Sequence, residues 1–246
     1  KIRVVNTLEH TDPRGPAREI PLASILDGTY RGDPGVGPIL EFRVVSYTGV
    51  DKSMNPADYV DGKRTMIPFP VVSPAQTAGA RQRTFRFDRF NGTDDAPWTI
   101  MTDENSATGT PAQGYGMDPH RVSAAPTTNE WEVWHLKSGG GWAHPVHIHF
   151  EEGRVLNRDG APPPVWEAGA RKDVYRIGEG PDNTHDLTLL IRFREFLGTY
   201  MEHCHNTTHE DHSMLLRWDI RNPGQVTSIP TPVATWSGVG YEASYD

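Results

Sequence analysis

Residues 199–214 read TYMEHCHNTTHEDHSM, and Cys204 within them is the only cysteine among 246 residues. The neighbouring ligand-type side chains are three imidazoles and one thioether, those of His203, His205, His209 and Met214. Thiolate, thioether and imidazole ligands favour copper over hard cations such as magnesium and calcium. This stretch therefore predicts a copper site.

The alternation of side chains along an extended strand predicts that the tripeptide His203 to His205 serves two metal centres. Successive side chains point to opposite faces, so His203 and His205 share one face and Cys204 points to the other. A thiolate, two imidazoles and a long axial methionine form the ligand set of blue-copper electron-transfer sites. Cys204, His209 and Met214 supply three of these four ligands.

A second histidine-rich stretch offers the missing imidazole, because residues 142–149 read WAHPVHIH. In an extended segment His147 and His149 share a face, while His144, an odd number of residues from both, lies on the opposite face. Pro145 favours this extended conformation, since a proline disfavours the helical region for the residue before it.

Side-chain parity thus predicts two ligand sets on opposite faces. The first set consists of His144, Cys204, His209 and Met214. The second set consists of His147, His149, His203 and His205.

Both stretches resemble the C-terminal signatures of the multicopper oxidases, a family that includes laccases, bilirubin oxidases and the bacterial spore-coat laccase. The signatures HPxHxH and HCHxxxHxxxxM are matched by His144 to His149 and by His203 to Met214. The resemblance implies an all-β fold of cupredoxin-like Greek-key barrels or sandwiches. It also implies one-electron oxidation of substrates coupled to four-electron reduction of dioxygen to water.

The same resemblance implies which residues would hold each copper. The type 1 copper would be held by His144, Cys204, His209 and Met214. The type 2 copper would be held by His147, and the binuclear type 3 pair by His149, His203 and His205. A reducing substrate would deliver its electron near an exposed edge of His209. Glu210, directly after it, would be a candidate for proton relay.

The chain departs from the family in its number of HxH motifs. A complete trinuclear cluster in this family uses eight histidines from four such motifs, and this chain has two. The other histidines are isolated, namely His10, His120, His135, His185 and His212. We therefore expect a partner, the N-terminal portion of the same oxidase as a cleaved or separate chain, to supply two further HxH motifs beside dioxygen and a small reducing substrate.

Composition agrees with a β-rich chain and excludes some functions. With 36% hydrophobic residues, 24 Gly and 21 Pro, the sequence favours many short strands joined by turns. The net charge of −8 argues against nucleic-acid binding, which needs concentrated Lys and Arg. No stretch approaches a transmembrane length. A single cysteine excludes an internal disulfide, so the expectation of a secreted or periplasmic protein rests on the family alone.

Three regions are predicted along the chain. Residues 1–75 would be the end of a preceding, middle cupredoxin domain and a linker, with a strand at 39–45; the proline-rich linker itself would span 67–80. Residues 76–222 would form the copper-binding C-terminal domain, with strands at 84–90, 130–136 and 187–196. Residues 223–246 would be an extended tail. The loop 157–171, with three prolines and Trp166, is a candidate rim of the substrate site.

Several alternatives remain open at this point. Zinc also binds His and Cys, although it gains little from the thioether of Met214. Phenols and aromatic amines are the family's usual donors, and metal ions such as Mn(II), Cu(I) or Fe(II) are the second class. A blue-copper electron carrier without oxygen chemistry would not need histidines on both sides of Cys204. A two-copper nitrite reductase predicts a wider spacing than that from Cys204 to His209.

Overall fold

The structure is a computed structural model of the chain, and it describes most of the sequence. The described residues are 1–12, 14–53, 55–58, 60, 63, 69–89, 92–102, 114–139, 141–180, 185–225, 227–229 and 241–243. The chain divides into two compact units, Lys1–Val71 and Val72–Asp246. Within the described residues, no helix has the length and apolar character needed to cross a membrane.

The first unit contains short elements. They are β1 (Ile2–Asn6), β2 (Leu8–Glu9), β3 (Arg18–Glu19), α1 (Leu22–Leu26), β4 (Gly37–Phe42) and a 3-10 turn at Pro56–Asp58. β1 pairs antiparallel with β4, and β2 with β3. The strand expected at 39–45 is thus correct to Phe42, whereas 43–45 lie beyond it. The interpretation of this unit as part of a preceding domain stays a prediction.

The second unit carries both histidine-rich stretches. Its first elements are α2 (Pro74–Gly79), β5 (Arg81–Asp88), β6 (Thr99–Met101), β7 (Gly114–Tyr115), β8 (Val122–Ala124), β9 (Trp131–Ser138) and β10 (His144–Ile148). The next are β11 (Gly153–Arg158), β12 (Val174–Ile177), β13 (Leu187–Arg192), β14 (Gly198–Cys204), α3 (Thr207–Asp211) and β15 (Leu215–Ile220). The last are β16 (Thr227–Ile229) and β17 (Tyr241–Ala243).

Two sheets of this unit form a β-sandwich. One has five strands in the order β12-β10-β14-β15-β8, and the other has six in the order β11-β13-β9-β5-β6-β7. A buried apolar cluster contains side chains from both sheets, including Trp134, Val146 and Trp218. Cys204 belongs to the same cluster. The predicted all-β, cupredoxin-like sandwich is therefore confirmed.

The apolar alternation of the sequence explains why the central strands form. In β5 the side chains of Arg83, Phe85 and Phe87 are buried in turn, while their neighbours are more exposed. Arg83 is tolerated inside because its guanidinium donates two hydrogen bonds to the Glu132 carboxylate, at 2.6 and 2.9 Å. A buried charge needs such a partner to offset its desolvation. Glu132 lies on β9, the parallel neighbour of β5.

The predicted proline-rich linker at 67–80 contains a short helix. Residues 74–79 form helix α2, and the assignment of the region as a linker stays a prediction. Ser73 caps this helix by accepting a hydrogen bond from the Gln76 amide, and the Gln76 side chain accepts one from the Ser73 amide. Pro74 fits the first helical position, where an amide hydrogen has no partner within the helix. Residues 67 and 68 of this region lie outside the described residues.

The predicted tail at 223–246 is described only in part. β16 and β17 pair in parallel within it. Residues 226, 230–240 and 244–246 lie outside the described residues. The assignment of this segment as an extended tail stays a prediction.

Candidate metal centre

The two histidine-rich stretches lie side by side in the five-stranded sheet. β10 and β14 pair antiparallel, with Val146 opposite Cys204 and His147 opposite His203. Residues directly opposite one another share a face of the sheet. The buried positions of β10 alternate from His144 through Val146 to Ile148, as expected for a strand with one face in the core. This register separates Cys204 from the paired histidines His147 and His203.

Three donor atoms converge on the core side of this sheet. The Nδ1 atoms of His144 and His209 lie 3.2 Å apart, and the Cys204 Sγ lies 3.5 Å from each of them. His144 and Cys204 are 0% exposed and His209 is 2% exposed. We call these three residues the buried group. It unites two side chains of adjacent strands with one from helix α3.

Met214 is held close to this group by the backbone. Its amide donates a hydrogen bond to the carbonyl of His209, and its carbonyl accepts one from the amide of Cys204, both at 3.1 Å. The residue is 0% exposed and belongs to the same apolar cluster as Cys204. The turn after α3 therefore ties the candidate axial ligand to two other predicted ligands.

Burial sets the protonation of the buried group. It lowers the pKa of His144 to about 3, with a contribution from His209, and lowers the pKa of His209 to about 4. Both imidazoles are then neutral at pH 7, the form in which a ring nitrogen binds a metal. Burial also raises the pKa of the Cys204 thiol to about 12. A bound cation would favour the thiolate.

The donor set fits a soft metal ion. Two neutral imidazole nitrogens and a sulfur face a common point, and a buried thioether residue follows on the next turn. Such a combination of nitrogen and sulfur ligands suits copper, and the methionine makes zinc the weaker choice. The buried group can therefore hold one copper ion.

Three further histidines converge on the opposite face of the same strands. The Nε2 atoms of His149 and His203 lie 3.1 Å apart, and the rings of His147 and His149 have centroids 4.7 Å apart. Their ligand atoms all lie within 4.8 Å of one another. We call His147, His149 and His203 the open group, because His147 and His149 are only half-buried. Burial is the main cause that lowers the pKa of His149 and of His203.

His205 lies beside the open group without joining its convergent atoms. Its ring centroid is 5.4 Å from that of His203 and 5.9 Å from that of His147. The residue is exposed, and its amide donates a hydrogen bond to the Pro145 carbonyl, which continues the pairing of β14 with β10. His205 thus lies on the same face as His147 and His203.

Polar groups next to the open group orient two of its rings. The Glu210 Oε1 lies 3.2 Å from the His203 Nδ1, within ion-pair distance but without the alignment of a hydrogen bond. The His147 Nδ1 lies 3.1 Å from the carbonyl oxygen of Asp173. Contacts of this kind fix ring orientation at metal sites. Glu210 therefore lies on the side where the sequence predicts oxygen chemistry.

The expected exposed edge of His209 is wrong. The ring of Trp98 stacks on it with centroids 3.8 Å apart and planes inclined by 32°. Trp142 meets the same imidazole edge-on at 5.7 Å, and it packs against Trp98 at 4.8 Å. Trp98 is 6% exposed, whereas Trp142 is half-buried. Two tryptophans that sequence reasoning missed thus cover the ligand expected to face the substrate.

The signals for these two residues differ. Trp142 stands two positions before His144, so its place near the site could have been noticed. Trp98 lies between β5 and β6, just before β6, and nothing in its local sequence points to His209.

The loop 157–171 is rigidly anchored at its base. The buried carboxylate of Glu167 accepts two hydrogen bonds from Arg158, at 2.6 and 2.9 Å, and one from Lys172. Burial works to raise the pKa of Glu167, but these hydrogen bonds outweigh it and the net shift is downward. Trp166, next to Glu167, remains 72% exposed. Its role as a substrate rim stays a prediction.

The isolated histidines contribute no donor atom to either group, although the charge of His212 acts on the nearby His209. His135 is hydrogen-bonded to Thr188 and Gln82, at 3.2 and 2.9 Å between two strands. The exposed members are His10, His120, His185 and His212. None of the five belongs to either convergent group among the described residues.

Fold and site together define a class of protein, a β-sandwich built to bind copper. A sequence model described as multicopper oxidase matches residues 89–224, more than half of the chain. The chain belongs to the multicopper oxidase family, as the two sequence signatures predicted. Copper is the cofactor that this membership implies.

Named relatives agree with the family. A bilirubin oxidase of Albifimbria verrucaria is 32% identical over 172 residues, which cover 68% of this chain and 25% of that protein. A laccase of Haloferax volcanii is 32% identical over 100 residues, covering 40% of this chain and 17% of that protein. The matches therefore span about a quarter or less of the length of these relatives.

A solved structure supports the fold. The McoA multicopper oxidase of Aquifex aeolicus superposes with a TM-score of 0.50 at 18% identity, covering 82% of this chain and 39% of that one. Similarity at this level of identity concerns the architecture alone.

Proposed function

We propose that this chain is the copper-binding C-terminal portion of a laccase-like multicopper oxidase. In this proposal the type 1 copper is held by His144, Cys204, His209 and Met214. The type 2 copper is held by His147, and the type 3 pair by His149, His203 and His205. When bound, copper would supply one-electron acceptance from the donor at the first site and four-electron reduction of dioxygen at the second.

The observation that carries this proposal is the position of Cys204 between two ligand sets. Its sulfur lies in the buried group, while His203 and His205 on either side point to the other face of the sheet. A few covalent bonds therefore connect the Cys204 thiol with the rings of its neighbours His203 and His205. A protein that only carried electrons at a single copper would not need this second set of histidines.

The tryptophan pair suggests how a donor reaches the first site. Trp98 and Trp142 keep water away from the His209 ring, and the half-buried Trp142 presents aromatic surface in its place. Aromatic rings favour stacked and edge-to-face contacts with other aromatic rings. We infer that phenols or aromatic amines are the preferred donors, and that they approach through this pair. Metal-ion donors find no comparable ligand set beside Trp98 among the described residues.

Glu210 is the proposed proton donor for the oxygen chemistry. Its carboxylate is 3.2 Å from the His203 Nδ1 and partly exposed, so it can take a proton from solvent and hold it beside the open group. Reduction of dioxygen to water consumes protons, and a carboxyl group within one or two hydrogen bonds of the reacting atoms can supply them.

The second site requires further ligands in this proposal. His147, His149, His203 and His205 are the histidines that the chain offers on that face, half of the family's eight. Two further HxH motifs would come from the N-terminal portion of the oxidase, and the short share of each relative's length that the chain matches supports this. A secreted or periplasmic location is proposed from the family alone.

Substitution of Cys204 by serine tests the assignment. Copper-loaded wild type should show the intense blue absorption of a thiolate-bound copper, and Cys204→Ser should lose it together with donor oxidation. The matched control is His185→Gln, an exposed histidine outside both groups, which should keep the blue absorption.

Two outcomes would contradict the proposal. Donor oxidation retained in Cys204→Ser would refute Cys204 as the electron path. A blue wild type that binds a single copper even with the N-terminal portion present would instead indicate an electron carrier.

A further inference from the structure

The turn that precedes Met214 contains an unusual backbone conformation. Ser213 has a φ of 79°, in the left-handed region that non-glycine residues rarely adopt. Such a conformation is strained and persists only where surrounding contacts enforce it. The chain must reverse here, because the Met214 amide donates back to the His209 carbonyl.

The enforcing contacts come from the other sheet of the sandwich. The Met117 amide donates to both the carbonyl oxygen and the Oγ of Ser213, at 2.9 and 2.8 Å. Met117 follows Gly116 and β7, the edge strand of the six-stranded sheet, whereas Ser213 leads into β15 of the five-stranded sheet. One amide thus clamps the turn from across the sandwich.

Gly116 makes this clamp possible. A Cβ added at Gly116 would lie 3.0 Å from the Ser213 Oγ and 3.2 Å from its Cβ. These distances are tighter than ordinary van der Waals contacts, so an alanine would push against the turn. The absence of a side chain at Gly116 therefore lets residues 116–117 approach Ser213 closely.

We propose that Ser213, clamped by Gly116 and Met117, is a positioning residue for Met214 that sets the reduction potential of the first copper site. This inference rests on the proposed function, in which Met214 is the axial ligand. The axial ligand tunes the potential of such sites. The Met214 backbone is hydrogen-bonded to Cys204 and His209, and Ser213 directly precedes it. A shift of the turn at Ser213 would therefore move the Met214 side chain relative to these two residues.

The experiment measures reduction potential, blue absorption and copper electron paramagnetic resonance in the copper-loaded chain and three variants. Ser213→Ala removes the Oγ that accepts a hydrogen bond from the Met117 amide, and it leaves a non-glycine residue in the left-handed conformation. Gly116→Ala adds a Cβ that comes too close to the same turn from the opposite sheet. His185→Gln, an exposed histidine outside the clamp and both histidine groups, is the control. We expect both clamp variants to shift the potential and the blue band, and the control to leave them as in wild type.

A fourth variant, Ser213→Asn, separates positioning from folding. Asparagine tolerates the left-handed conformation and offers a side-chain oxygen to the Met117 amide. It should restore the wild-type potential more closely than alanine does. If Ser213→Ala and Gly116→Ala lower the unfolding midpoint but leave potential and spectra unchanged, Ser213 is merely structural and the inference is overturned. Absence of a blue band in wild type would instead reject the proposed function.

Discussion

The two faces of one pair of strands carry histidine groups that differ in burial. On the core face, His144 and His209 are 0% and 2% exposed and lie 3.2 Å apart beside a buried thiol. On the other face, His147 and His149 are half-buried and His205 is exposed. The buried group brings three ligand-type donor atoms together from this chain alone. The open group is less enclosed, as expected where further ligands must come from elsewhere.

This difference follows from how each face is covered. The core face is closed by the second sheet and by Trp98, so solvent is excluded before any metal binds. A preorganised, dry ligand set loses little freedom on binding. The open face lacks such a cover among the described residues. The buried group should therefore bind copper much more tightly than the open group, although the two lie on opposite faces of the same strands.

The largest expected effect comes from removing one histidine on each face. His144→Gln should weaken the tight, blue copper site by about a hundredfold or more, since it removes a ligand from a closed set. His147→Gln should leave that site unchanged and affect only weakly held copper. Equilibrium dialysis against a competing chelator measures both affinities. Equal losses in the two variants would show that the faces do not act as separate sites.

Acid should destabilise the metal-free chain mainly through the buried group. The pKa values of His144 and His209 are about 3 and about 4 when folded and 6.5 in the reference state. Between pH 6.5 and about 4 the unfolded chain therefore binds more protons than the folded chain. As the pH falls through this range, each histidine lowers the free energy of unfolding by about 1.4 kcal/mol per pH unit. Urea unfolding across this range should show the loss, and His209→Gln should show a shallower slope.

That slope distinguishes the two faces. His147→Gln is the matched control, and its pH dependence should stay close to that of wild type. The stability of His209→Gln and of His147→Gln could instead fall equally slowly with acid. That result would show that the acid sensitivity does not come from burial of His209 in the buried group.

Removal of Trp98 should open the buried group. Trp98→Ala should lower the free energy of unfolding by about 3 kcal/mol, as for other buried aromatic side chains. A phenol should bleach the blue band of Trp98→Ala more slowly than that of wild type, because an aromatic contact is lost. Ferrocyanide should bleach it equally fast or faster, because access to the buried group improves. Tyr47→Ala, which removes an exposed aromatic side chain outside the predicted site, is the control. Equal slowing with both donors would contradict a role for Trp98 in donor contact.

The smallest expected effect concerns Glu202, which faces the core between the two cross-strand neighbours Ile148 and Leu216. It is 0% exposed, and neither carboxylate oxygen has a hydrogen-bond partner among the described residues. Burial raises the pKa of this carboxyl well above its ordinary value. An unsatisfied buried polar group costs about 1–3 kcal/mol, so Glu202→Met should stabilise the chain by about that amount at pH 7.

Chemical denaturation against the control Glu152→Gln, an exposed carboxyl paired with Arg171, checks this expectation. Destabilisation by Glu202→Met would indicate that the carboxyl has a partner or role on the core face.

Side-chain parity predicted the division of the site because β10 and β14 are regular strands with a period of two. The HxH and HCH patterns therefore predicted which side chains share a face of these strands without knowledge of the fold. Helix α3, the left-handed turn at Ser213 and the cover provided by Trp98 were not predictable in this way. Each depends on contacts between residues far apart in sequence, and local pattern carries no record of such contacts.

The exposure of His209 illustrates the same limit. The structure places His209 beside His144 and Cys204, and its surroundings depend on a tryptophan from the connection before β6. The register of β10 against β14 explains why Cys204 and the paired histidines separate, whereas nothing in either strand specifies what covers them.

The number of copper ions that this 246-residue chain retains shows whether it completes one site or two. The chain would be loaded with excess Cu²⁺, treated with a chelator, and analysed for retained copper, blue absorption and electron paramagnetic resonance. We expect one retained copper ion per chain, with the blue signal of a thiolate-bound site. Retention of four copper ions, together with reduction of dioxygen to water by the chain alone, would contradict it.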